Sequence, residues 1–142
     1  MNIFYLNYNP VICAQEHCDK HVVKMIVEYA QLLSTAHRVL DGIGYVELSA
    51  NNRKVKRFKL DEPRESSLYK ACHINHPSAV WTRSSNLPDR GWSDPPPAMP
   101  DKYKETDTIQ SYRNYYIGEK VSFAKWKSPA TIPEWFKTHA YV

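Results

Sequence analysis

From His21 to Leu40 the chain is apolar on almost every helical face. Val22, Val23, Met25, Ile26, Val27, Leu32 and Leu33 surround a single polar row. That row, His21, Lys24, Glu28, Gln31, Thr35 and Arg38, recurs at steps of three and four residues and so shares one side of a helix. An ordinary surface helix carries a broader polar face. The pattern predicts a long central helix from about Asp19 to Leu40, with Val22, Ile26, Tyr29 and Leu33 buried and one narrow polar stripe. Asp41-Gly42 should end it, the glycine supplying a left-handed residue.

The remaining elements follow from shorter signals. Ile3 to Tyr8 is apolar and aromatic, a strand or an extended lead-in. Asn9-Pro10 has the form of an N-cap followed by proline in the first turn, and Asp19 could cap a second helix after a break near Cys18. Tyr45–Leu48 and Val55–Leu60 flank a polar turn at Asn51-Asn52 and predict a β-hairpin. Asp61 and Pro63 restart a short helix through Tyr69 and Ala71, and His76-Pro77-Ser78 begins another that carries Val80 and Trp81. Asn86 to Pro100, with Pro95-Pro96-Pro97, should be a loop. Thr106-Asp107 caps a last helix to about Trp126, with Ile109, Tyr112, Tyr116 and Phe123 on its inner face. Ile132 to Phe136 should be a docked extended tail. The fold class is therefore mainly α: a compact helical single domain, residues 1–142, with a small basic hairpin.

Composition narrows the class further. With 42% apolar residues, four Trp and ten Tyr, the chain has the makings of a folded core. No apolar run is long enough to span a bilayer. The start, Met1 to Tyr5, lacks the form of a signal peptide, and three cysteines with no secretory signal are expected to be reduced thiols. These features imply a cytoplasmic protein with no membrane partner. The net charge of +4 is too mild to imply a nucleic-acid partner alone, so the distribution of charge matters.

Five basic residues, Arg53, Lys54, Lys56, Arg57 and Lys59, crowd the second hairpin arm beside Phe58. Such a row can follow a phosphate backbone, or it can protect a free sheet edge from aggregation. Arg113 adds a cation among the tyrosines of the last helix, where interleaved charges and rings suit base stacking. On the stripe, His17 and His21 could carry protons, Lys24 could act as an amine nucleophile, and Glu28 as acid or base. The same spacing equally fits a solvated helix face with a routine Lys24–Glu28 ion pair. Cys13, His17, Cys18 and His21, and separately Cys72, His73 and His76, offer zinc-ligand types. Their spacings match no standard finger or ribbon, so no metal and no cofactor are assigned.

The segment His17-Cys18-Asp19-Lys20-His21-Val22-Val23-Lys24-Met25, with Glu28 and Gln31, resembles the opening of a family of small tailed-phage proteins. The resemblance continues through Asn75-His76-Pro77-Ser78 with Trp81, Pro97 to Pro100, Tyr112 to Tyr116, Glu119-Lys120 and Ile132 to Trp135, and so covers most of the chain. More remotely, the layout is similar to the phage pyrimidine-dimer DNA glycosylase, endonuclease V. That family pairs a His- and Glu-bearing first helix with a basic middle and a tyrosine-rich end. This second resemblance implies a helical enzyme whose amine attacks a glycosidic carbon, forms a Schiff base and can then cleave the strand. It departs from that family at Asn2, which fits poorly with an amine exposed by removal of Met1. The amine role would then pass to Lys24 or Lys20, with Glu28 as the carboxylate and His17 and His21 as proton carriers. The phage proteins usually carry a further helical stretch after the Trp81 region. Here Arg83 to Leu87 bridges directly, which implies either a lost activity or a gap filled by the second subunit of a homodimer.

Three functions therefore compete. The first is a phage-type DNA glycosylase or lyase acting in the host cytoplasm. The second is a non-catalytic module binding DNA or a host protein. The third is a small Cys/His metal-dependent enzyme.

Overall fold

A computed structural model describes residues 2–85 and 93–139. Asn86 to Trp92, the first half of the proline-rich loop, lies outside the described residues. Along the chain run α1 (Pro10–Glu16), α2 (Asp19–Asp41), β1 (Ile43–Leu48), β2 (Lys54–Lys59), α3 (Arg64–Ser67), α4 (Pro77–Ser85), a 3-10 turn (Asp101–Tyr103), α5 (Thr108–Lys120) and α6 (Glu134–Lys137). The fold is mainly α with one antiparallel hairpin. It groups into two units. One is Val27–Ser93, and the other joins Asn2–Ile26 to Asp94–Val142. Helix α2 contributes its first turns to the second of these and the rest to the first.

In the discontinuous unit the lead-in is extended, not a strand, and Phe4, Tyr5 and Leu6 are buried. Asn9 caps α1 by accepting from the Val11 and Ile12 amides at 2.9 and 3.3 Å, and proline fills the first helical position. The helix breaks at His17-Cys18. There the Cys18 amide donates to the Tyr116 hydroxyl (2.8 Å) and the Asp19 amide to the Lys125 carbonyl (2.9 Å). Asp107 caps α5 through the Ile109 and Gln110 amides. Ile109, Tyr112 and Tyr116 are buried as the periodicity predicts, but α5 stops at Lys120, and Phe123 is only half-buried in the turns that follow. The tail is not extended. Pro133 and Phe136 are buried, and residues 134–137 close one helical turn.

In the contiguous unit the hairpin register pairs Ile43 with Lys59 and Leu48 with Lys54. Asn52 takes the left-handed conformation of its turn (φ 55), which asparagine tolerates better than most residues. The helix expected to run to Tyr69 and Ala71 is a single turn, Arg64–Ser67. Gly42 ends α2 for a reason other than the expected one. A Cβ there would lie 2.4 Å from the Arg38 carbonyl oxygen and 3.0 Å from that of Lys59, and it is this close backbone approach that demands glycine.

The largest departure concerns which face of α2 turns inward. Val22, Ile26 and Leu33 are 46, 67 and 48% exposed, and Tyr29 is half-buried. The buried positions are His21, Met25, Leu32, Ser34, Thr35, Ala36 and Arg38, so half of the polar stripe is core. The apolar positions occupy so much of the helix that periodicity alone could not select the inner face. Hydrogen bonding selects it. All five N–H groups of Arg38 are used: Nε to the Tyr69 carbonyl, Nη1 to the Phe58 carbonyl and the Glu65 carboxylate, and Nη2 to the Glu65 and Leu68 carbonyls, at 2.7–2.9 Å. Four of these acceptors are main-chain carbonyls, on β2, α3 and the residues just after α3, and an arginine can donate to them as no apolar residue can.

Candidate nucleic-acid interface

The stripe does not form one site. Lys24 is exposed and Glu28 half-buried, one turn apart on α2. His17 and His21 are 6 and 4% exposed, inside a cluster of rings. The His21 ring stacks on Phe4 with centroids 4.4 Å apart and meets Tyr116 edge-on at 4.9 Å. Nδ1 of His17 donates to the Cys13 carbonyl at 2.6 Å, and burial holds its pKa below the ordinary value, so the ring is neutral and oriented. Burial also pushes the Cys13 thiol up, away from thiolate reactivity. The Tyr112 hydroxyl donates to the Pro96 carbonyl, and burial raises its pKa to about 12. Together these groups make a buried aromatic core.

Arg113 is engaged in the same unit. Its Nε donates to the Leu6 carbonyl at 2.9 Å, Glu16 lies 3.7 Å away, and its guanidinium sits over the Trp135 ring. The cysteines are all free thiols, and among the described residues no group of three or more His, Cys, Asp or Glu side chains is placed to hold a metal ion.

The basic arm has a different setting. Arg53 lies in the turn, and Lys54 to Lys59 form β2, where alternation puts Lys54, Lys56 and Phe58 on one face and Val55, Arg57 and Lys59 on the other. Lys54, Lys56 and Lys59 are exposed, and the Lys56 ammonium lies over the Phe58 ring at 5.3 Å. Arg57 is anchored. Its Nε donates to Glu47 at 2.6 Å across the hairpin and its Nη1 to the Ala71 carbonyl at 3.3 Å, and this guanidinium holds the Glu47 carboxyl below its usual range. Arg57 thus ties the strand to the segment Ala71–His76.

Between strand and segment lies an open cleft of about 680 Å³. Lys54, Lys56 and Arg57 line one side, and Cys72, His73, Asn75 and His76 line the other. No carboxylate is among its lining residues; Glu47 pairs with Arg57, and Glu28 acts electrostatically on His76 from outside the lining. His73 takes the left-handed conformation (φ 48), unusual for a residue other than glycine. Nδ1 of His76 accepts from the Ser78 amide at 3.2 Å and so caps α4, a role its place before Pro77 suggested. Burial, and then neighbouring positive charge that includes His73, hold the His76 pKa below its ordinary value, which suits an acceptor nitrogen.

Sequence reasoning found the basic arm but grouped Cys72, His73 and His76 as zinc-ligand types. It missed Asn75 and the pairing of this segment with β2. Only the hairpin's tertiary placement brings them together, and no local spacing announces it. No protein-family model, curated protein or solved structure matches this chain.

Proposed function

We propose that this chain is a nucleic-acid-binding module whose contact surface is the basic cleft beside β2. The observation that supports it is a concave surface bearing Lys54, Lys56 and Arg57, with hydrogen-bonding His73 and Asn75 opposite and no carboxylate in the lining. Such a surface suits the repeating negative charge of a phosphate backbone. DNA is the partner that the phage-protein and glycosylase resemblances imply. Binding is favoured over strand chemistry because amine catalysis works best from a desolvated lysine in a recess, and Lys24 is exposed on α2.

Fluorescence anisotropy with labelled duplex and single-stranded DNA tests the proposal. Lys54→Gln with Lys56→Gln should weaken binding and reduce the salt slope by about 0.9 for each duplex phosphate deprived of its lysine, roughly two in all. Arg57 is left intact so that the hairpin anchor survives. Unchanged affinity and slope in the double variant, or no DNA binding by the parent, would refute the module. Borohydride trapping on abasic DNA separates binding from lyase chemistry: an adduct that requires Lys24 would favour the glycosylase alternative.

A further inference from the structure

A second recess lies within the discontinuous unit, on the segment that links α5 to α6. Its volume is about 430 Å³, inside the range of roughly 300–1,000 Å³ typical of small-molecule sites. Trp126 and Phe136 form its aromatic wall, with ring centroids 4.8 Å apart and planes inclined at 60°. Val121, Ala124 and Ile132 supply the rest of the apolar lining. The remaining lining residues, Lys125 and Lys127, are exposed, and neither forms an ion pair among the described residues.

The recess is preformed. Trp126 Nε1 donates to the Glu16 carbonyl at 3.2 Å, which fixes the indole plane. Asp19 clasps the lysine segment from behind. Its amide donates to the Lys125 carbonyl (2.9 Å), and its Oδ1 accepts from the Lys127 amide (3.2 Å). Phe136 is 4% exposed and rests against Tyr116, so the wall has little freedom to collapse into the space. Val121, by contrast, stands 46% exposed at the recess.

An apolar floor with flat rings favours a flat, apolar body, and two cations without a lining carboxylate favour a negative charge at its edge. We infer that this recess is a binding site for a small planar aromatic anion, its ring held against Trp126 and Phe136 and its charged group met by Lys125 and Lys127. The chemistry fits the base and phosphate of a nucleotide and equally an aromatic carboxylate. The site is built from residues other than those of the basic cleft and does not depend on it.

The test follows the Trp126 indole N–H resonance and calorimetry of the full chain with matched pairs: thymidine 5′-monophosphate against thymidine, phenylacetate against 2-phenylethanol, and inorganic phosphate alone. At least one aromatic anion should shift the Trp126 resonance and bind roughly five- to tenfold tighter than its neutral counterpart, the effect expected of two charge contacts at the solvent edge. Whichever anion binds tighter identifies the source, nucleotide or aromatic acid. Lys125→Gln with Lys127→Gln, both at exposed positions, should abolish the preference for the anion and leave neutral binding unchanged. Ile132→Glu should block the anions, while Lys54→Gln with Lys56→Gln should not. Neutral compounds binding as tightly as the anions, inorganic phosphate competing as well as the aromatic anions, or no binding at millimolar concentration would each overturn the assignment.

Discussion

Arg38→Ala is the substitution on which the inward polar face of α2 can be judged. The side chain is 3% exposed, and its five donors meet five acceptors. Truncation takes a donor from four main-chain carbonyls and from the Glu65 carboxylate, which keeps the Leu60 amide. A hydrogen bond from a charged donor contributes about 1.5–3 kcal/mol, but bonds sharing one guanidinium do not add. The side of Glu65 that faces water can rehydrate, since that side chain is 30% exposed. The four carbonyls belong to residues that are half-buried or, at Tyr69, exposed, so water can replace part of the network. The loss should therefore lie between that of one charged hydrogen bond and that of a fully buried ion pair, about 2–4 kcal/mol. Against a typical total of about 5–15 kcal/mol, that is a large fraction of the stability. Urea unfolding followed by far-ultraviolet dichroism measures it. Arg38→Lys should recover only part, because an ammonium has three donors and no fork to reach both the strand end and the loop. A loss below about 1 kcal/mol for Arg38→Ala, at unchanged urea dependence, would show that the network contributes little and that another force turns this face inward.

Other outcomes follow from the same geometry. Gly42→Ala forces a Cβ to within 2.4 Å of the Arg38 carbonyl oxygen, so it should destabilise by roughly 1–3 kcal/mol in the same urea assay. His17 is neutral in the folded chain with its pKa held below the ordinary value of 6.5, so below about that pH the unfolded chain takes up a proton that the folded chain resists. Stability should be full above that value and decline as pH falls from it toward the depressed folded pKa. His17→Gln should flatten this limb of a melting-temperature profile, and an unaltered profile would refute the assignment.

Caps and turns were the most legible part of the fold. Asn9-Pro10, Asp107, Asn52 and His76-Pro77 act through neighbours within a few residues, and each does in the structure what its local chemistry requires. The inner face of α2 was not legible. Its selection rests on carbonyls at Phe58, Leu68 and Tyr69, far along the chain, to which Arg38 donates. The helix ends after Lys120 and Ser67 were also missed, because apolar periodicity continues past the last regular turn; beyond Lys120 only turns follow, with Phe123 and Ala124 both donating to the Lys120 carbonyl. On the functional side, the density of cations in Arg53 to Lys59 was visible at once. That Arg57 would be bound to Glu47 and Ala71, and so would build a cleft rather than a flat charged edge, depended on strand register and on a loop that sequence left shapeless.

The order in which the chain leaves the ribosome bears differently on its two units. The Val27–Ser93 unit is one continuous stretch and can assemble once that stretch has emerged. The other unit cannot. Phe4 and His21 find ring partners on α5, and the amide of Cys18 finds its acceptor in Tyr116, 98 residues later. During synthesis Phe4 and His21 therefore wait, with their aromatic surfaces unpacked, until α5 has emerged. A nascent chain stalled before Asp107 would hold a finished hairpin unit behind an unfinished amino-terminal one.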